Sequence, residues 1–150
     1  MLYLKILNKK GYIQTMQKDT KIWDYHCRIY YEDVDVGGYC YHSKYLNFCE
    51  RARSEMFFSQ DKSPIIGEYH FVAKSLDAKY KKAGVFGDSL VVKTSVANYK
   101  KASLVLLHEI YNQDDELIFS MNITLACLKN SQVVKIPQEF EEIFLDSSTS

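Results

Sequence analysis

Lys44 to Gln60 carries the one long helical pattern in this sequence, and four runs of strand period follow it in succession. Tyr45, Phe48, Cys49, Ala52 and Met56 recur at helical spacing on one face, while Lys44, Asn47, Arg51, Ser54 and Glu55 fall mostly elsewhere. Ser43 is placed to cap this helix. Arg51 and Glu55 stand one turn apart and are expected to pair, for a few tenths of a kcal/mol. A helix with so long an apolar face must bury it, and the rest of the chain offers only sheet to do so.

The period-two runs are separated by turn signals. Asp61-Lys62-Ser63-Pro64 and Gly67 form a loop, after which Val72, Leu76, Ala78 and Tyr80 share one strand face, interrupted by Lys74. Gly84 and Gly87 punctuate the next turn. Leu90, Val92, Thr94 and Val96 make a second face, and Leu104, Leu106, His108 and Ile110 a third. Asn112-Gln113-Asp114-Asp115 reads as a hairpin loop. Leu117, Phe119, Met121, Ile123, Leu125 and Cys127 then alternate without a break. Ahead of the helix, Ile22 to Tyr31 is aromatic and β-branched and is read as a strand. Consecutive strands with short turns favour antiparallel pairing. The expected architecture is α+β: one curved five-stranded antiparallel sheet wrapped around one long central helix. Residues 22–145 form this domain, with a short helix over Pro137 to Phe144 and a frayed tail from Asp146. Residues 1–21 lack a clear period and are expected to be a disordered extension. Met16 begins a plausible shorter start, so the first fifteen residues are also read as an over-long start assignment.

Composition narrows the functional classes. Nineteen basic and nineteen acidic side chains cancel, which removes a strongly basic nucleic-acid footprint. Cys27, Cys40, Cys49 and Cys127 form no C-x-x-C pair and the histidines show no ligand spacing, so no metal is expected. Buried free thiols fit a reducing compartment. No apolar run approaches transmembrane length, and Met1 to Leu7 is too short for a signal core. A cytoplasmic location is the expectation.

Chemistry concentrates in the loop between the first strand and the helix. Tyr30-Tyr31-Glu32-Asp33-Val34-Asp35-Val36-Gly37-Gly38-Tyr39-Cys40-Tyr41-His42-Ser43 brings together acids, two glycines and a histidine. Three readings of the residues stand side by side. In the first, it is a polar turn with acids near the positive helix end. In the second, helix N-terminal N–H groups stabilise an oxyanion while a carboxylate, with Asp35 the candidate, attacks a carbonyl or activates water. In the third, Glu32, Asp33, Asp35 and His42 hold a hard cation, although the spacing is not that of an EF-hand. Two basic turns, Tyr80-Lys81-Lys82 and Lys100-Lys101, could clamp a nucleotide phosphate, or simply be solvated. His26, His70 and His108 are read as structural.

Three segments carry a resemblance: Tyr30 to Gly38, then Tyr41-His42-Ser43-Lys44-Tyr45-Leu46, then Cys49-Glu50-Arg51-Ala52-Arg53-Ser54-Glu55. Together they resemble the hotdog-fold acyl-CoA thioesterases, within them the 4-hydroxybenzoyl-CoA thioesterase group, and specifically its YbgC type, linked in bacteria to the Tol-Pal system. Weaker similarity runs from about Phe71 to Lys129 and includes Gly87-Asp88-Ser89-Leu90. The resemblance implies a hotdog fold, a homodimer or homotetramer with active sites between subunits, and hydrolysis of an acyl-CoA substrate to acid and CoA without cofactor or metal. It makes Asp35 the nucleophile or general base and places the backbone N–H at His42 on the thioester carbonyl. The His42 side chain and Tyr31 match functional positions, and Gly37 and Gly38 match the loop that admits the thioester. Lys100, Lys101 and Ser103 are the candidate CoA contacts. The chain departs from the family pattern at Val34, Val36, Tyr39-Cys40, Ala83 and Lys101. The alternative is a non-catalytic hotdog module that binds acyl carrier protein or another lipid-synthesis partner. A hotdog dehydratase would carry its histidine earlier in the helix motif.

Overall fold

β3, Trp23–Arg28, and β4, Tyr69–Tyr80, lie at opposite edges of one sheet, and the helix α1, Lys44–Phe58, is the connection between them. This is a computed structural model, which describes residues 21–145 and, ahead of them, the backbone of strands β1, Tyr3–Leu7, and β2, Ile13–Gln17. Between the edges stand β5, Ser89–Tyr99, β6, Ser103–Tyr111, and β7, Leu117–Lys129. The order is β3-β5-β6-β7-β4, antiparallel throughout, and a two-residue β8, Gln132–Val133, folds back on the end of β7 as a sixth strand. The fold is thus α+β of the hotdog kind, with one short strand more than the expected five.

The helix buries the predicted face: Tyr45, Phe48, Cys49, Ala52 and Met56, with Phe57 added. Against it stand Leu90 and Val92 of β5, Leu104, Leu106 and Ile110 of β6, and Phe119, Met121, Ile123, Leu125 and Cys127 of β7, all buried. Each large side chain so covered contributes about 1.5–3 kcal/mol. A second helix, α2, Gln138–Phe144, closes one end by setting Phe140 and Phe144 edge-on against Phe57 and Phe71. Arg51 and Glu55 form no ion pair, so that expected contact is absent.

Three local expectations change. The first strand stops at Arg28 rather than Tyr31, because the Asp33 carboxylate accepts the Tyr30 N–H at 2.8 Å and turns Tyr31–Asp33 into a 3-10 turn. On β4 the extra residue Lys74 forms a bulge between Ala73 and Ser75. The bulge reverses the alternation, so Leu76, Ala78 and Tyr80 pair with the core residues Ile123, Met121 and Phe119, while Val72 pairs with Ala126 on the other face. Finally, the segment 1–21 expected to be disordered contains the antiparallel ladder of β1 with β2. Its other residues up to 20, and the tail from Asp146, lie outside the described residues.

Candidate active site

The loop that leaves β3 is tied first to its own backbone. Val34 and Cys40 form an antiparallel bridge, with the Asp35 N–H donating to the Tyr39 carbonyl at 2.9 Å and the Gly38 N–H to the Asp35 carbonyl at 3.0 Å. Gly38 turns the chain with φ +82°, a conformation a side chain resists. The loop is then fastened to the turn between β4 and β5. Cys40 N–H donates to the Gly84 carbonyl at 2.9 Å, Phe86 N–H to the Gly38 carbonyl at 3.0 Å, and Tyr39 bridges Val85. Gly84 itself packs where no larger residue fits: a Cβ there would lie 2.7 Å from Ile29 Cδ1 and 3.0 Å from the Tyr45 hydroxyl.

The two acids of the Asp-Val-Asp segment do different work. Asp33 is buried, accepts the Tyr30 N–H, and faces Lys44 Nζ at 3.6 Å. Its carbonyl also accepts the Tyr41 N–H at 2.9 Å. Asp33 is therefore committed to holding the loop. Asp35 is half-buried, and its Oδ1 accepts the N–H groups of Gly37 at 2.9 Å and Tyr39 at 3.1 Å. Its Oδ2 has no hydrogen-bond partner among the described residues. The carboxylate is fixed in direction with one oxygen open. Gly37 matters here for space, since a Cβ on it would sit 3.3 Å from Asp35 Oδ1.

His42 is exposed and stands at the entrance to α1. The cap expected of Ser43 is not made: its backbone is already helical at φ −75°, ψ −21°, which turns the side chain away from the first N–H groups. Lys44 N–H donates to the Tyr41 carbonyl at 3.0 Å and Leu46 N–H to the Ser43 carbonyl at 3.2 Å. The N–H groups of His42 and Ser43 donate to nothing among the described residues. His42 lines a cavity of about 230 Å³ with Cys40, Tyr45, Tyr80, Lys81, Lys82 and Ala83. Tyr45 lies stacked on Phe119 and accepts the Gly84 N–H at 2.9 Å. Burial pushes its phenol up to about 12, so it serves as a neutral hydroxyl. Burial likewise lifts the Cys40 thiol to about 11, aided by the Asp33 charge, which leaves a thiol rather than a thiolate beside the cavity.

The other sequence candidates are spread wider. Tyr31 is 83% exposed, with its ring edge-on to Phe86 at 6.1 Å. Lys100 and Lys101 form the β5–β6 turn, where Lys100 N–H donates to the Ser103 carbonyl and the Lys101 carbonyl accepts Ile136 N–H. With Tyr99, Lys135, Ile136 and Glu141 they line a separate cavity of about 300 Å³. Ser103 pairs with Ala126 and Tyr80 with Phe119, so seven residues of β7, roughly 23 Å, separate that turn from His42. One chain does not bring Lys100, Lys101 and Ser103 to Asp35. Among the described residues no group of three His, Cys, Asp or Glu is placed to hold a metal ion. Of the acids in the cation reading of the loop, Asp33 is already engaged by the Tyr30 N–H and Lys44.

Tyr80 is the residue that sequence reasoning placed on a strand face without giving it a role at the loop. Its hydroxyl donates to the His42 carbonyl at 2.7 Å, across 38 positions of sequence. The available signal was a hydroxyl-bearing aromatic at the end of a strand, just before the turn that holds Gly84.

The thioesterase superfamily model matches residues 37–119 of this chain. Over 127 residues the chain is 44% identical to the acyl-CoA thioesterase YbgC of Helicobacter pylori, covering 78% of this chain and 96% of that protein. It is 31% identical over 114 residues to the acyl-CoA thioester hydrolase YbgC of Escherichia coli O157:H7, covering 73% of this chain and 84% of that protein. The crystal structure of a 1,4-dihydroxy-2-naphthoyl-CoA thioesterase from Synechocystis superposes with a TM-score of 0.79 at 18% identity, over 87% of this chain and all of that one.

Proposed function

Since the chain belongs to the thioesterase superfamily, we propose that it is a hydrolase that splits an acyl-CoA thioester into free acid and CoA. The observation that carries this reading is the Asp35 carboxylate, anchored through one oxygen by Gly37 and Tyr39 and open at the other. The open oxygen attacks the thioester carbonyl or takes a proton from the attacking water. The backbone N–H of His42, without a partner at the head of α1, receives the carbonyl oxygen as negative charge develops on it. The C–S bond breaks and the sulfur leaves to be protonated as CoA thiol; the acyl carbon takes the water oxygen directly, or bonds first to the Asp35 oxygen in a mixed anhydride that water then cleaves, releasing the acid and restoring the carboxylate. Gly37 and Gly38 leave the approach to the carbonyl clear. Tyr31 and the His42 side chain orient the acyl group or the water.

The site is completed by a second copy of the chain in a homodimer or homotetramer. Three observations support this. β4 is an edge strand with exposed Leu76 and Tyr80, the loop exposes Tyr30, Val36, Tyr39 and Tyr41 with Phe86 beside them on the β4–β5 turn, and the lysine turn lies far from Asp35 within one chain. A second copy brings Lys100, Lys101 and Ser103 to the CoA phosphates, where point charges and a hydroxyl suit phosphate oxygens. Four free cysteines fit a cytoplasmic location. No helix of the described residues is long and apolar enough to cross a membrane.

Thiol release from a panel of aromatic, short-chain and long-chain acyl-CoAs, with acyl carrier protein thioesters beside them, tests the reading. At least one substrate is expected to turn over, and Asp35→Asn is expected to lose at least about a hundredfold of that rate with fold and assembly intact. Unchanged turnover in Asp35→Asn would overturn it. Sedimentation is expected to show a dimer or tetramer.

A further inference from the structure

Tyr80 donates its hydroxyl to the His42 carbonyl, and that bond acts on a peptide whose other end is an unpartnered donor. The His42 carbonyl and the Ser43 N–H belong to one planar trans peptide, so fixing the first fixes the second on the opposite side. The preceding peptide is held in the same manner, because the Tyr41 carbonyl accepts the Lys44 N–H at 3.0 Å. Two consecutive N–H groups, of His42 and Ser43, are thus free among the described residues while both of their peptide carbonyls are engaged. Successive N–H groups of this kind make a concavity for an anionic oxygen. A hydrogen bond to a peptide oxygen also polarises the N–H across the same amide.

Tyr80 is itself well braced. Its ring sits edge-on to Tyr45 at 5.5 Å and tilts against Phe119 at 5.1 Å, and its own strand pairs it with Phe119. Both neighbours are buried, so the hydroxyl is aimed by the core rather than by the loop. Burial and the neighbouring Cys40 raise its phenol above the ordinary range, which keeps the donor protonated at neutral pH. Tyr80 and His42 also share the walls of the same cavity.

We infer that Tyr80 is a positioning residue for thioester hydrolysis: its hydroxyl locks the His42–Ser43 peptide so that consecutive N–H groups face the carbonyl oxygen in the transition state. This rests on the thioesterase reading above. The role acts on the barrier rather than on substrate affinity, because it tunes a donor that meets its full charge only when the carbonyl oxygen becomes anionic.

Tyr80→Phe keeps the ring and removes the bond. With the best acyl-CoA of the panel, kcat is expected to fall about tenfold or more, KM to stay within about twofold, and the melting temperature to hold. The amide resonance of Ser43, read by NMR without substrate, is expected to shift. Wild-type turnover that is lost in Asp35→Asn but retained in Tyr80→Phe overturns the Tyr80 assignment alone. A variant whose melting temperature, kcat and KM all deteriorate together, with the Ser43 amide unmoved, overturns it in favour of a packing role. A wild-type chain that releases no thiol from any member of the panel overturns the thioesterase reading and this assignment with it.

Discussion

Arg53 Nη1 lies 3.2 Å from His108 Nε2 inside the domain, and the opposite ring nitrogen of His108 lies 2.8 Å from Thr94 Oγ1. A guanidinium only donates, so Nε2 must accept and the imidazole is neutral. Nδ1–H is then free to donate to the Thr94 hydroxyl, which fixes the tautomer. Burial, with the Arg53 charge adding to it, pushes the imidazole down to about 3.

That depressed value sets a pH dependence of stability. Between about pH 6.5, where an unfolded histidine titrates, and pH 3, the unfolded chain binds a proton at this position and the folded chain does not. Stability from His108 is therefore full above that window and is lost as pH falls through it, with a limiting slope of about 1.4 kcal/mol per pH unit. In His108→Gln the urea-unfolding free energy is expected to fall less steeply from pH 6 to 4 than in the wild type. An identical slope in both would show that His108 takes up its proton as readily folded as unfolded.

Gly84→Ala places a methyl group against Ile29, which is fully buried, and against the Tyr45 hydroxyl. Neither neighbour has room to retreat. A loss of about 1–3 kcal/mol is expected by urea unfolding. Turnover should drop as well, because Gly84 also accepts the Cys40 N–H that fastens the loop.

Asp33→Asn and Asp35→Asn are expected to separate cleanly. The first removes the charge opposite Lys44 and weakens the bond that turns the chain at Tyr30, for about 1–3 kcal/mol of stability. The second leaves an amide oxygen able to accept from Gly37 and Tyr39, so stability should stay within about 1 kcal/mol while turnover disappears. Denaturation curves and thiol-release rates measured on the same preparations check both halves.

The native thiols should resist alkylation. Burial raises Cys27 and Cys40 from 9.0 to about 11 and Cys49 to about 12. At neutral pH that lowers the thiolate fraction of Cys27 and Cys40 by about a hundredfold. Iodoacetamide labelling followed by mass spectrometry is expected to be slow in the folded protein and fast in urea. Rapid labelling of Cys49 under native conditions would show that α1 opens readily.

Legibility in the sequence followed how far each pattern was local. β7 could be read because its alternation from Leu117 to Cys127 is unbroken and one face is buried from Phe119 onward. β4 could be read only in part, since the bulge at Lys74 switches faces and no local rule marks where a strand gains a residue. The helix face was legible from period alone, but the cap was not: Ser43 has the right chemistry and the wrong backbone. Asp35 could be singled out from its place before Gly37 and Gly38 and from the resemblance, but the structural commitment of Asp33 could not, because it depends on which N–H groups surround each acid. Tyr80 escaped because its contact with His42 forms only when the β4 edge and the helix entrance meet.

The way Asp35 is held has a further consequence for how such a chain can diversify. Its direction is set by the amides of Gly37 and Tyr39, within five residues of itself, and that part of the loop meets the rest of the molecule through main-chain bonds at Gly84 and Phe86. Side chains elsewhere on the sheet can therefore drift in size without re-aiming the acid. The acid-bearing half of the loop behaves as a portable cassette: substrate choice is free to wander over generations while the aim of the carboxylate is inherited whole.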